Sequence, residues 1–472
     1  MSCSSPAAEA GDSEIAMAKA AASKERKIVP LVFLPVIIFG SFSCLSLQPD
    51  LRLGVPLLVG VSAMTFISLA CILFQGERRG ITWSPVFILL VALILRLLFV
   101  ASPPTLSDDI HRYVWDGLNI LGGTNPYALS PSSTPPVPGM QDLREAINHP
   151  DLVTIYPPAA QVVFAVGASF GGVTGMKSFL ALLDLVLCFI ILRLLTRLDL
   201  PPWRAVLYAW NPLPVLEIAS SGHIDGAAAL FLFAALFFLL RSRDKPFSPF
   251  RIAAAGGFFA ASVLVKLFPL VFLPALFFLC RGAVRYFLVG FCLIAAGLIL
   301  PFMPEIGNAF ATLDVYLRNW EFAGFVFRIL RDLTSGPTAR IVLGIVFLAA
   351  MTHIYTRAAR RRSAIGTVAA MYGVALAFLV LTTTLHPWYA LYLAALLPFA
   401  AGVSGLVLCW SVLLAYQVLI PYAILGQWSE QGWVAAVIFL APVLAWLATR
   451  GARSGLHGRS PRESSTLPAS PR

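Results

Sequence analysis

Residues 81–117 read ITWSPVFILLVALILRLLFVASPPTLSDDIHRYVWDG, and their reading decides the fold. Ile81 to Ala101 is apolar over a length that crosses a bilayer, for which about 20 helical residues suffice. The stretch Ser107 to Gly117 that follows is charged and aromatic. Two adjacent carboxylates, Asp108 and Asp109, therefore emerge where a membrane helix ends. This pattern points to the reactive end of a membrane enzyme, with the rest of the chain built to present a lipid-borne substrate to it.

Composition supports a membrane chain. Of 472 residues, 58% are hydrophobic and 12% charged, whereas a soluble domain carries about 25% charged residues. Channel, transporter and membrane enzyme all fit at this level. The net charge of +11 is scattered in short clusters between apolar runs, as topology signals are, rather than gathered on one arm or face, so no nucleic-acid partner is expected. The seven cysteines show no metal-like spacing and mostly lie in apolar runs, which suits packing. Residues 1–27 lack the pattern of a cleavable signal and read as a disordered cytoplasmic tail, and so does the Ser/Pro/Arg-rich segment 451–472.

Between the tails, 28–450 reads as one transmembrane domain. Apolar runs predict spans near 28–47, 54–74, 82–101, 177–195, 204–221, 224–240, 252–265, 267–280, 285–302, 341–356, 364–384, 389–402, 404–424 and 433–449. The fold class is all-α, a polytopic transmembrane helical bundle of about 11–14 spans. Basic clusters at Lys24 to Lys27, Arg78–Arg79, Arg193 to Arg204, Arg241 to Arg251, Arg281/Arg285 and Arg357 to Arg362 should face the cytoplasm. The loops 102–176, 303–340 and 425–431 then face out, and both termini in. Ala159 to Gly172 is apolar and helix-like, but letting it span would turn the Arg357 to Arg362 cluster outward. An interfacial or half-inserted helix, set off by Pro157-Pro158 and Gly171-Gly172, solves this. No internal repeat of fixed period is evident, nor an inverted repeat that would favour a transporter.

The 102–176 loop holds the chemistry. Asp108 to Leu121 suits a short helix, with Thr105 and Asp108 spaced as a capping box and Gly122 to Pro126 as a sharp stop. On it, Asp109, Arg112, Tyr113 and Asp116 share one face, and Asp108 and Arg112 are i,i+4 partners. A carboxylate here can take a proton from an attacking hydroxyl, with an Arg keeping it ionised. The pair also suits a divalent cation, and equally an ordinary solvated helix start.

The motifs form an ordered set. Ser107 to Gly117 is followed by Gly123-Thr124-Asn125-Pro126-Tyr127, Ile147-Asn148-His149-Pro150 and Ile155-Tyr156-Pro157-Pro158. Weaker echoes are Gly222-His223-Ile224-Asp225-Gly226, Lys266-Leu267-Phe268-Pro269 and His386-Pro387-Trp388-Tyr389. This set resembles bacterial GT-C glycosyltransferases, in particular polyprenyl-phosphate-dependent mannosyltransferase-like members. The similarity is densest over 105–160. One departure is that three apolar spans precede the acidic loop, where one is usual.

The resemblance implies a bundle of GT-C type with a large outer loop carrying interfacial helices, at the outer face of the cytoplasmic (inner) membrane. It implies a hexosyltransferase that moves a monosaccharide, mannose favoured, from a polyprenyl-phosphate donor to a lipid or glycan acceptor, usually with inversion. The acidic motif maps onto Asp108 and Asp109 as base; a divalent cation serves some branches, and no cofactor is otherwise implied. The alternative is a transporter or flippase of lipid-linked sugars.

Beside that resemblance stand the remaining residues. His223 and Asp225, at the outer end of an expected span, suit sugar hydroxyls, a cation or a plain helix cap. His386 is a rival base, and Trp388 and Tyr389 offer faces to a sugar or belong to an interfacial belt. Lys266, Arg328 or Arg331 can meet a phosphate. Tyr156 precedes a Pro pair that fixes the chain as it re-enters the interface. Asp184 and Arg96, each isolated in a span, are expected to pair between helices.

Overall fold

A bilayer offers no water to backbone amides and carbonyls, so each apolar run must bond them internally, as a helix. The computed structural model follows this rule along residues 32–135, 139–240, 248–361 and 363–457, with side chains described to residue 449. The expected tail 1–27, residues 458–472 of the expected tail 451–472, the Lys24 to Lys27 cluster, residues 241–247 and Arg362 lie outside the described residues, whereas 451–457 continue the last helix. Among the described residues there is no β-strand, only isolated bridges from Phe322 and Ala323 to Thr384.

The chain opens with α1 (Val32–Ser46), α2 (Val55–Arg79) and α3 (Pro85–Val100). The loop helices α4 (Asp109–Leu121) and α5 (Pro158–Ser169) precede α6 (Gly172–Arg197). Next come α7 (Asp225–Leu239), α8 (Pro249–Val265), α9 (Phe268–Leu279, opening as a tighter 3₁₀ turn) and α10 (Val284–Phe302). A second loop region carries α11 (Gly307–Asn319) and α12 (Phe325–Leu333). The chain ends with α13 (Gly336–Arg361), α14 (Ala364–Leu381), α15 (Pro387–Ala400), α16 (Val403–Leu425) and α17 (Gly432–His457). Seven of these (α2, α6, α10, α13, α14, α16, α17) are long and apolar enough to cross a membrane; α1, α3, α8, α9 and α15 are shorter apolar helices. The molecule is an all-α polytopic membrane bundle.

Local chemistry sets several starts. Ser84, Ser248 and Ser363 accept the amides of Phe87, Arg251 and Gly366, and Pro85 and Pro249 occupy first positions where no amide is needed. Packing then sorts the helices. α7 is buried nearly all round against α6, α8 and α15, whereas α10 and α13 leave Leu293, Leu300 and Ile341 more than 60% exposed, as lipid-facing helices do.

The expected pair inside the bundle forms. Arg96 Nε donates to Asp184 Oδ2 at 2.7 Å, and both side chains are buried. A guanidinium nitrogen of Arg96 also donates to the carbonyls of Ala92 and Ala209, and Tyr208 donates to Asp184 Oδ1 at 2.5 Å.

One expected span differs. Residues 204–221 are not a single helix but short turns ending in a π-helical segment, and Pro212–Ser220 is bent by 118° against α7. Pro201, Pro202, Pro212 and Pro214 remove amides that a continuous helix would use. α5 has 12 residues, a length of about 18 Å at ~1.5 Å per residue, too short for a hydrocarbon core of about 30 Å. It packs on α4 and α6 instead.

Candidate functional site

The expected capping box does not form at the start of α4. Thr105 Oγ1 accepts the amide of Leu51, from the α1–α2 connection, and Ser107 Oγ accepts the amide of Asp109. The two adjacent carboxylates then diverge. Asp108 is half-buried; burial pushes its carboxyl above the usual range, while His111 and Arg52 oppose that shift. Burial likewise holds the His111 imidazole below its ordinary value.

Asp109 faces inward. Its Oδ1 accepts from Asn148 Nδ2 at 3.0 Å, and its Oδ2 lies 3.4 Å from the Tyr156 hydroxyl. Tyr156 also donates toward Tyr113 Oη at 3.2 Å. Burial holds both phenols well above the ordinary phenol value, so they stay protonated donors.

Arg112 does not pair with Asp108 as i,i+4 spacing suggested. It bonds Asp116 at 3.0 Å and the Leu152 carbonyl at 2.9 Å. Gln161 on α5 reaches Asp116, Thr154 Oγ1 and the Tyr156 carbonyl. These bonds lash residues 152–156 to α4 and α5 and hold Tyr156 over Asp109. The approach of α4 to α5 needs Gly117, where a Cβ would stand 2.3 Å from the Phe164 carbonyl oxygen.

The broken segment supplies the other wall. Gly222 has φ +80°, and a Cβ there would stand 2.3 Å from Ile110 on α4, so only glycine fits. The His223 amide donates back to the Glu217 carbonyl at 2.8 Å. The turn thereby brings Glu217, His223 and Asp225 together; π-helical segments recur at functional sites. His223 Nδ1 lies 3.8 Å from Asp109 Oδ2, and its Nε2 lies 3.6 Å from Glu217 Oε2. Tyr416 Oη is 2.8 and 2.7 Å from the two Glu217 oxygens.

Lys266 ends α8 and bonds Asp225 Oδ2 at 2.7 Å, with its ammonium 5.3 Å from the Tyr389 ring centre. An aromatic column completes the cluster. Phe322, His386, Trp388 and His223 stack in turn at 4.8, 4.3 and 3.9 Å between ring centres. Tyr389 and Tyr316 hydroxyls meet at 2.5 Å. Several buried polar atoms in this cluster have no hydrogen-bond partner: both His223 ring nitrogens, Asp225 Oδ1, and the hydroxyls of Ser220, Ser221 and Tyr392.

The fold therefore gathers Asp109, Tyr113, Tyr156, His223, Asp225, Lys266, His386, Trp388 and Tyr389 at one end of the bundle. Arg112 and Asp116 lie behind them, engaged with each other. Arg328 and Arg331 sit apart, Arg328 on Glu430 and Arg331 on Glu321 and Asp332. Among the described residues no group of three or more His, Cys, Asp or Glu is arranged to hold a metal ion.

Sequence reading passed over Glu217, Tyr316 and Tyr416, and it quoted Asn148 within a motif without giving it a role. Glu217 had a signal: it is a carboxylate in an apolar run, the criterion that singled out Asp184. The other three are ordinary polar residues until the fold sets them against an acid or a phenol.

The molecule is a polytopic membrane bundle with titratable groups converging at one end. Residues 55–282, a little under half of the chain, match the family described as alpha-(1->6)-mannopyranosyltransferase, N-terminal domain. Over that stretch the chain is similar to a mannosyltransferase-family domain. The matched stretch holds Asp108, Asp109, Glu217, His223, Asp225 and Lys266. No curated protein and no solved structure matches the chain.

Proposed function

We propose that the protein transfers a mannosyl residue from a polyprenyl-phosphate donor to a hydroxyl of a lipid or glycan acceptor, with inversion, at the outer face of the cytoplasmic membrane. The family match supports mannosyl transfer as such. The observation that carries the finer reading is the meeting of an oriented carboxylate, Asp109, and a partly exposed ammonium, Lys266, in one cluster.

In this reading Asp109 is the base. The acceptor O–H bond breaks toward the Asp109 carboxylate as the oxygen bonds the anomeric carbon. The bond from that carbon to phosphate breaks, and its electron pair leaves with the phosphate. A phosphate monoester leaves readily, so no strong acid is needed opposite Asp109. Lys266, paired with Asp225 and partly exposed, takes the donor phosphate. The groove between α8, α9 and α10, lined by Phe259, Leu270, Leu273, Phe277, Phe287 and Phe291, suits a prenyl chain that enters from lipid. Trp388 and Tyr389 supply ring faces to the sugar. Asp108 sits with Arg52 and His111 and serves the fold of α4. His386, stacked between Phe322 and Trp388, serves as a wall.

The test is a transfer assay with purified protein in lipid, polyprenyl-phosphate-mannose and membrane lipid extract. Product with wild type and none with Asp109→Asn supports the reading. Full activity of Asp109→Asn removes Asp109 from its role. Movement of the donor across the bilayer with no new glycosidic bond would replace the reading with transport.

A further inference from the structure

Glu217 is a carboxylate that the transfer chemistry above leaves unused. It is fully buried, and His223 is 1% exposed. A carboxylate inside a membrane bundle is costly unless it is partnered or has a task. Among the described residues no Lys or Arg pairs with it: Lys266 is on Asp225, and the groups facing Glu217 are the Tyr416 hydroxyl, within hydrogen-bond distance, and His223. His223 in turn has Asp109 at its other ring nitrogen. One imidazole is thus held between two carboxylates that come from separate parts of the chain. Neither ring nitrogen has a hydrogen-bond partner, although both are buried. The separations are 3.8 and 3.6 Å, and catalytic hydrogen bonds often tighten when substrate arrives.

We propose that Glu217 and His223 form, with Asp109, a carboxylate–imidazole–carboxylate relay that draws the acceptor proton off Asp109 during transfer. The inference rests on Asp109 being the base. Asp109 is the residue that touches the acceptor; His223 and Glu217 are positioning residues that act through it. The proton that breaks from the acceptor hydroxyl arrives on the Asp109 carboxyl. It moves to His223 Nδ1, which leaves Asp109 ionised and His223 an imidazolium. Nε2–H then donates to Glu217, whose charge balances the ring.

The Trp388 indole, stacked at 3.9 Å, adds a π face that favours a cation. After product leaves, the proton returns through Asp109 to water, and no other reactant is required. The charged and titratable groups facing His223 are Glu217 from the broken segment, Asp109 from α4, the Lys266–Asp225 pair, and His386 beyond Trp388. Burial, Lys266 and His386 oppose a charge on the ring, and the two carboxylates beside it, Asp109 and Glu217, oppose that penalty by position.

The experiment measures kcat, both KM values and the pH–rate profile of full-length protein in lipid. The probes are polyprenyl-phosphate-mannose and membrane lipid extract. Glu217→Gln keeps the shape and a hydrogen-bond acceptor for Nε2–H but removes the charge. Its kcat is expected to fall about 10–100-fold, a share of the ~10²–10⁴ that general-base catalysis supplies. Both KM values hold, the acid limb of the profile moves, and His223→Gln does the same. Glu217→Asp recovers part of the rate. Adding Glu217→Gln to Asp109→Asn costs nothing further, since groups acting as a unit are non-additive.

A packing role predicts an unchanged kcat and profile for Glu217→Gln once a thermal melt shows it folded. If Glu217→Gln does not fold, Tyr416→Phe, which keeps the charge and removes a donor to it, must lower kcat a few-fold without altering KM. No change there overturns the relay. Wild-type kinetics in both Glu217→Gln and His223→Gln, beside a dead Asp109→Asn, overturns the relay and leaves the base assignment standing. A fully active Asp109→Asn overturns the base assignment, and the relay with it.

Discussion

Two buried ionic clusters occupy this bundle, and they differ in how completely they are satisfied. Around Arg96 and Asp184, the guanidinium bonds a carboxylate and two carbonyls, and the carboxylate also takes a phenol hydrogen. Around His223 and Asp225, ring nitrogens, a carboxylate oxygen and nearby serine hydroxyls have no partner. Buried polar atoms are normally paired, and leaving one unpaired costs about 1–3 kcal/mol. The first cluster is closed and holds helices together. The second is open, and its unpaired atoms are available to something that enters. Saturation, more than burial or charge, separates the structural pair from the proposed site.

The largest expected effect tests the open cluster. Asp109→Asn should lower the transfer rate by ~10²–10⁴-fold, with the melting temperature of the purified protein unchanged. The closed cluster should behave in the opposite way. Arg96→Met or Asp184→Leu alone strands a buried charge and should cost about 3–5 kcal/mol of stability. The double variant should recover most of that in thermal unfolding. If the single variants unfold no earlier than wild type, the contrast between the clusters fails.

Lys266→Gln sharpens the comparison within the open site. It removes a charge-assisted contact to phosphate of about 1.5–3 kcal/mol, so the donor KM should rise ~10–100-fold while that of the acceptor holds. An unchanged donor KM would move the phosphate elsewhere.

The smallest effect separates the two adjacent aspartates. Burial raises the Asp108 carboxyl above its unfolded value. The fold therefore favours the protonated form: that contribution is full below the unfolded value and is lost as pH rises through the folded one. Asp108→Asn should raise the melting temperature slightly at neutral pH and not in acid, with transfer nearly unaffected. A large loss of transfer would transfer the role of base from Asp109 to its neighbour.

Much of this was legible in advance. The apolar runs marked nearly every helix, because a bilayer leaves no other way to satisfy a backbone. The isolated Arg96 and Asp184 announced their pairing for the same reason. Asp108 and Asp109 stood out, but nothing in their order told them apart; that came from Thr105 bonding Leu51 and from the packing of α4. Arg328 and Arg331 were expected as phosphate ligands on charge alone, and the fold places each beside a carboxylate. Residues 204–221 have the hydropathy of a span, yet Pro212, Pro214 and the Gly222 turn break it.

The sequence by itself determined a helical membrane bundle, the loop in which the acidic pair lies and the residue types available there, because hydropathy and backbone satisfaction are local quantities. Only the tertiary structure decided which carboxylate meets an imidazole, which cation stays reachable and that Glu217 stands behind His223. Those contacts bring Asp109, Lys266 and Trp388 onto the 217–225 segment from distant parts of the chain, and no local pattern sets a distance between them.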